Sequence, residues 1–132
     1  SDLEISMERG PCFGICPAYN LLIDWNGNVE YEGKYYVAVE GKQNTKINPT
    51  QIQELVTAIE QAKFFELEAQ YRALATDLPS IRLSITLNGR SKSIWHYGML
   101  DCSGDLDVAP QELCDLERKI DEVVNSNQWV EE

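Results

Sequence analysis

Cys12 and Cys16, with three residues between them, are the densest reactive chemistry in the chain. Pro11 precedes the first and Pro17 follows the second, so Arg9-Gly10-Pro11-Cys12-Phe13-Gly14-Ile15-Cys16-Pro17-Ala18-Tyr19 reads as a stiff loop. Three chemistries are open to such a pair. A disulfide closing so short a loop stabilises by roughly 2 kcal/mol in the chain-entropy description and holds the loop in one shape. A redox dithiol wants an exposed cysteine of lowered pKa, commonly in a Cys-x-x-Cys turn at a helix N-terminus. Here the spacing is longer, Pro17 follows, and no Lys or His lies near in sequence. A zinc site made of all four cysteines, or of three with His96, would use Cys-x2-Cys or Cys-x4-Cys knuckles. Neither Cys12/Cys16 nor Cys102/Cys114 has that spacing. A structural bridge is the reading these residues favour.

Cys102 and Cys114 offer a second local bridge, about 3 kcal/mol by the same description. Four cysteines allow three pairings; local pairing, 12 with 16 and 102 with 114, needs the least rearrangement. Cys114 also borders an apolar stripe and would serve equally as a buried free thiol. His96 is the only histidine. It reads as a strand-end residue beside Ile81 or as an exposed polar cap. Ser91, Ser93 and Ser103 lack a nucleophile motif around them. Asp101, Asp105 and Asp107 with Gly104 lack the preceding helix of a calcium loop and read as solvated loop acids. The glycines are scattered at turns and form no phosphate cradle. No complete catalytic set emerges, and neither a cofactor nor a resident metal is expected.

The elements that must position the cysteine loop follow from periodicity. Leu3, Ile5 and Met7 alternate with polar residues, which predicts a half-buried strand before the loop. Tyr19 to Trp25 and Val29 to Gly33 flank Asn26-Gly27, a hairpin signal. A three-residue turn with Gly27 as bulge pairs Ile23 with Val29 and Leu21 with Tyr31; a one-step slip would exchange the faces. Tyr35 to Val39 is expected to continue the meander. Asn48-Pro49 with Gln51 specifies a helix start with a capping box. Ile52, Leu55, Val56, Ile59 and Ala62 then form its apolar stripe. After a connector from Tyr71 to Pro79, Ile81 to Leu87 and Ser91 to Tyr97 form a second hairpin around Asn88-Gly89, with Leu83 facing Ile94. Pro110 opens a last helix with the stripe Leu113, Leu116, Ile120, Val123 and Val124, and Trp129 is a late anchor. The order β-β-β-α-β-β-α predicts a single α+β domain over 1–132, an antiparallel sheet with two amphipathic helices packed on one face.

The chain has 132 residues and a net charge of −11, from 22 acidic against 11 basic side chains. Nucleic-acid binding needs clustered Lys and Arg to release counterions, and that cluster is lacking. An acidic surface instead favours solubility and basic partners. No run has the length of a membrane span or a secretory h-region. The chain begins at Ser1 rather than Met, so a signal peptide or lipid anchor removed earlier is compatible with it.

Arg9-x-x-Cys12-Phe13-Gly14-x-Cys16-Pro17-x-Tyr19 resembles an uncharacterised bacterial family, domain of unknown function 6438. The likeness runs on through Gly27-x-Val29-x-Tyr31-x-Gly33, Asn48-Pro49, Phe64-Phe65 and Asp77-x-Pro79; Cys102 and Cys114 lie outside the pattern. The resemblance implies an exported or lipid-anchored protein, hence an extracytoplasmic location over a cytoplasmic one, and carries no activity. The expected function is a non-catalytic interaction domain. Its contact loop would comprise Arg9, Phe13, Gly14, Ile15 and Tyr19, and its protein partner would be basic. The alternative is thiol-disulfide redox chemistry or zinc binding at Cys12 and Cys16.

Overall fold

The computed structural model describes residues 2–12, 14–98 and 108–131. Phe13 and the segment 99–107, which holds Asp101, Cys102, Ser103, Gly104, Asp105 and Asp107, lie outside the described residues. Seven strands, β1 (Glu4–Arg9), β2 (Ala18–Asp24), β3 (Asn28–Tyr35), β4 (Gly41–Lys46), β5 (Gln70–Arg72), β6 (Ser80–Leu87) and β7 (Arg90–Tyr97), form one sheet in the order β4-β3-β2-β1-β6-β7-β5. Helix α1 (Pro49–Ala62) lies between β4 and β5, and α2 (Gln111–Val124) and the short α3 (Asn127–Val130) close the chain. Every pairing is antiparallel except β5 with β7. The fold is therefore α+β, with two strands more than the sequence predicts.

Alternation along the strands explains the two faces of the sheet. Leu3, Ile5, Met7, Leu21, Ile23, Val29, Tyr31, Ile81, Leu83, Ile85 and Ile94 point one way and are buried. Against them pack Ile52, Leu55 and Ile59 from α1 and Leu113, Leu116, Ile120 and Val124 from α2. Each such side chain contributes on the order of 1.5–3 kcal/mol when fully buried. The opposite face is polar apart from Leu22, Trp95 and Tyr97, and Ser84 with Ser93 and Thr86 with Ser91 form hydroxyl pairs at 2.8 Å across β6 and β7.

Both hairpin registers follow the sequence reading. Ile23 pairs with Val29 and Leu21 with Tyr31; Leu83 pairs with Ile94 and Ile81 with His96. Gly27 is required, because it adopts a left-handed φ of +85° and a Cβ there would strike the Ile47 carbonyl. At the start of α1 the Asn48 side chain accepts the Gln51 backbone N–H, and the Gln51 side chain accepts that of Asn48, both at 2.8 Å.

The expected element order needs four corrections, the first being the short α3 that follows the two predicted helices. Tyr35 to Val39 is not a strand: β3 ends at Tyr35 and Tyr36 turns left-handed with φ 55°. The meander resumes in β4, whose polar Gly41–Lys46 sequence shows no apolar alternation because it is an exposed edge. The connector after α1 contains β5, which is too short to show a period.

Candidate functional site

Arg9 ends β1 and Tyr19 opens β2, and the two are paired across the strands. Both face the helix layer, where α2 presents Asp121 between them. Arg9 donates from Nη2 at 2.6 Å and from Nε at 3.2 Å to Asp121 Oδ2. The Tyr19 and Ser126 hydroxyls each donate to Oδ1 at 2.7 Å. The two ends of the cysteine motif are thus clamped to one carboxylate. Burial works against the Arg9 charge, but adjacent Asp121 outweighs it and holds the guanidinium pKa above its ordinary value. Burial, assisted by Asp121 and opposed by Arg9, pushes the Tyr19 phenol up as well, so it stays neutral.

The clamp continues into the core. Tyr19 stacks on Tyr31 at 5.7 Å, and Tyr31 meets Trp129 of α3 at 4.8 Å. Beyond Arg9, the Gly10 N–H donates to the Ser80 carbonyl at 2.9 Å. Cys12 and Cys16 are then joined as a disulfide with their Cα atoms 5.7 Å apart. Gly14 and Ile15 form the outer part of this loop, and Ile15 is 82% exposed. Because Ala18 pairs with Tyr35, exposed Tyr35 and Tyr36 lie at the same end of the sheet.

A second cluster lies two strands away, on β7. His96 is fully buried, and its Nδ1 sits 3.0 Å from both carboxylate oxygens of Glu117 on α2. One ligand atom from each of His96, Cys114 and Glu117 falls within 4.8 Å of the other two. Cys114 is itself disulfide-bonded. Between the two clusters a cleft of about 490 Å³ opens, lined by Arg9, Tyr19, Glu117, Arg118 and Asp121 among others.

The structure brings Arg9, Tyr19 and the Cys12–Cys16 bridge to one sheet end, with Ile15 outward; Phe13 and Cys102 lie outside the described residues. His96 is the strand-end residue beside Ile81, not an exposed cap. Sequence reasoning missed Glu117, Asp121 and Ser126. A signal existed for the first two. Cys114, Glu117 and Asp121 form one row at helical spacing along the margin of the α2 stripe, and an acid bordering Leu113 and Ile120 needs a partner.

No helix among the described residues is long and apolar enough to cross a membrane. A mostly antiparallel sheet under a helical layer, with a disulfide-closed loop clamped at its end, defines a small α+β fold. The pattern of a family described as a domain of unknown function (DUF6438) matches residues 3–124, so the chain belongs to that family. A comparison with curated proteins found no match.

Proposed function

We propose that this is a non-catalytic interaction domain of an exported or lipid-anchored bacterial protein, with the stapled loop as its contact surface. The observation that carries the reading is Ile15, a large apolar side chain 82% exposed on a loop fixed at both roots. A loop held by its disulfide and by the Arg9–Asp121–Tyr19 clamp loses little further freedom on binding, which favours affinity. Tyr35 and Tyr36, exposed at the same end, extend the apolar area. The net charge of −11 favours a basic protein as partner.

The redox alternative is less well supported. A reactive Cys12 or Cys16 thiolate would need a cation beside it. Arg9, the nearest in sequence, is bound to Asp121, and the single histidine is paired with Glu117. The Cys12–Cys16 couple is expected to have a reduction potential below about −300 mV, as structural bridges do; a value near that of thioredoxin would favour the redox reading.

A photo-crosslinking side chain at position 35 tests the contact surface in the organism that makes the protein. It is expected to give one discrete covalent partner, lost when Ile15→Asp is introduced and retained with Leu74→Asp. Ile15→Asp should leave thermal stability within about 0.5 kcal/mol of the parent, as for exposed positions generally. Crosslinking indifferent to Ile15→Asp would remove the loop from the contact surface.

A further inference from the structure

The outer side of the helix layer carries a groove that neither the core nor the stapled loop uses. α1 and α2 run antiparallel, and the Gln51 side chain at the start of α1 donates to the Val123 carbonyl near the end of α2 at 3.4 Å. One face of each helix packs on the sheet, through Ile52, Leu55 and Ile59 and through Leu113 and Ile120. On the side turned away from the sheet, a mainly apolar trough of about 520 Å³ lies between the two helices. Ala58, Ala62 and Leu116 form its floor, and Thr50 and Thr57 add methyl groups along the α1 wall. These α1 positions recur at helical spacing, so the wall follows the length of the helix, which at 14 residues is about 21 Å. The rim is acidic. Glu54, Glu112 and Asp115 are exposed along it, against Lys119 as its one cation among the described residues. Glu54 and Glu112 have no hydrogen-bond or ion-pair partner among the described residues, and Asp115 is met only by Gln111 and Arg118 of its own helix. α1 contains no Lys or Arg along its whole length.

We propose that the α1–α2 groove is a docking site for a basic amphipathic helix of a partner protein. Apolar side chains at i, i+3 or i+4 and i+7 of such a helix fall on one line, which matches a straight apolar trough between two rods. That line lies over Ala58, Ala62 and Leu116. Lys and Arg on its flanks meet Glu54, Glu112 and Asp115, whereas an acidic helix of the same shape sets like charges together and is rejected. The groove shares no residue with the stapled loop or the Arg9–Asp121–Tyr19 clamp, so it is a second contact surface and does not rest on the first.

The probe is a labelled synthetic peptide of about four helical turns, with Leu on one face and Lys on the other. Its two counterparts carry Glu in place of Lys, or the same Leu and Lys in scrambled order. Titration with the protein, followed by fluorescence anisotropy at physiological salt, is expected to show binding of the Leu/Lys helix. Both counterparts should bind at least about tenfold more weakly. Glu54→Lys/Glu112→Lys should weaken the Leu/Lys helix by about tenfold or more, as should Thr57→Arg, which sets a long cation over the floor. Glu4→Lys/Glu30→Lys makes the same change of net charge on the open face of the sheet, and should leave binding within about twofold because salt screens that distance. If a groove variant does not melt like the parent, amide chemical shifts of the parent decide instead, with changes on peptide addition expected at 50–62 and 112–119. No binding of the Leu/Lys helix, equal losses from the two charge reversals, or shifts centred on the stapled loop would each overturn the proposal. A parent that sediments as a dimer and is split by Thr57→Arg would assign the groove to a second copy of this chain, and would overturn it as well.

Discussion

Asp121 and Glu117 stand one turn apart on α2 and reach the same end of the sheet, yet they are held in different ways. Asp121 is 18% exposed and accepts from Arg9, Tyr19 and Ser126, with Arg9 itself 20% exposed. Glu117 is 2% exposed and faces a histidine that is 1% exposed. The first carboxylate is neutralised by a permanent cation and braced by two hydroxyls. The second faces an imidazole, which is not a permanent cation. A permanent pair suits a fixed joint, and the Arg9–Asp121 clamp holds both roots of the stapled loop. The buried pair beside the disulfide-bonded Cys114 instead ties β7 to α2 within the dry interior.

The largest expected effect comes from splitting the dry pair. Glu117→Ala removes the carboxylate from a buried imidazole and should cost about 3–5 kcal/mol in urea unfolding. Replacing both partners, as His96→Leu/Glu117→Leu, should recover much of that. A small loss from Glu117→Ala alone would show that the two carboxylates are not energetically distinct.

Asp121→Asn should cost less, about 1.5–3 kcal/mol, because its partners can turn toward water through the cleft. That substitution should also loosen the loop, raising amide exchange at Gly14 and Ile15 while leaving the β6–β7 hairpin unchanged. Removing the staple with Cys12→Ser/Cys16→Ser should cost roughly 2 kcal/mol. If the two losses add, the clamp and the staple act independently; a shortfall would mean that each depends on the other.

The smallest effect is confined to alkaline pH. The folded Tyr19 phenol holds its proton more tightly than its ordinary pKa of 10.0, through burial and Asp121. The unfolded chain therefore loses that proton first, so Tyr19's contribution is complete below pH 10 and declines as pH rises above it. Tyr19→Phe should flatten the alkaline fall in stability without abolishing it, since burial also raises Tyr31. An unchanged alkaline profile would mean that Tyr19 is not coupled to the clamp.

Local chemistry made much of the fold legible. The Asn26-Gly27 register, the Asn48/Gln51 cap and the two helix stripes each rest on residues a few positions apart, and each stands in the structure. β4 and β5 escaped notice for the opposite reason. One is polar along its whole length as an exposed edge, and the other is three residues held by a parallel partner. The clamp was half visible. Arg9 and Tyr19 stood out around the cysteines, but Asp121 lies 112 residues from Arg9, and its place beside the α2 stripe does not say which cation it meets. Glu117 was readable as an acid in an apolar row; its partner was not, because choosing His96 requires knowing which strand lies beneath α2.

The short α3 sets a limit on where the folding unit can be cut. Trp129 and Val130 accept backbone hydrogen bonds from Val39 and Ala38, at 2.8 and 3.1 Å. Ser126 and Trp129, which complete the Asp121 clamp and the Tyr31 stack, follow the last family-matched residue, Val124. A fragment trimmed to the family boundary would retain the sheet sequence but strip the cover from Tyr31 and the 36–40 turn. The backbone pairing that closes the 36–40 turn therefore reaches Val130, past the boundary that sequence similarity alone would draw.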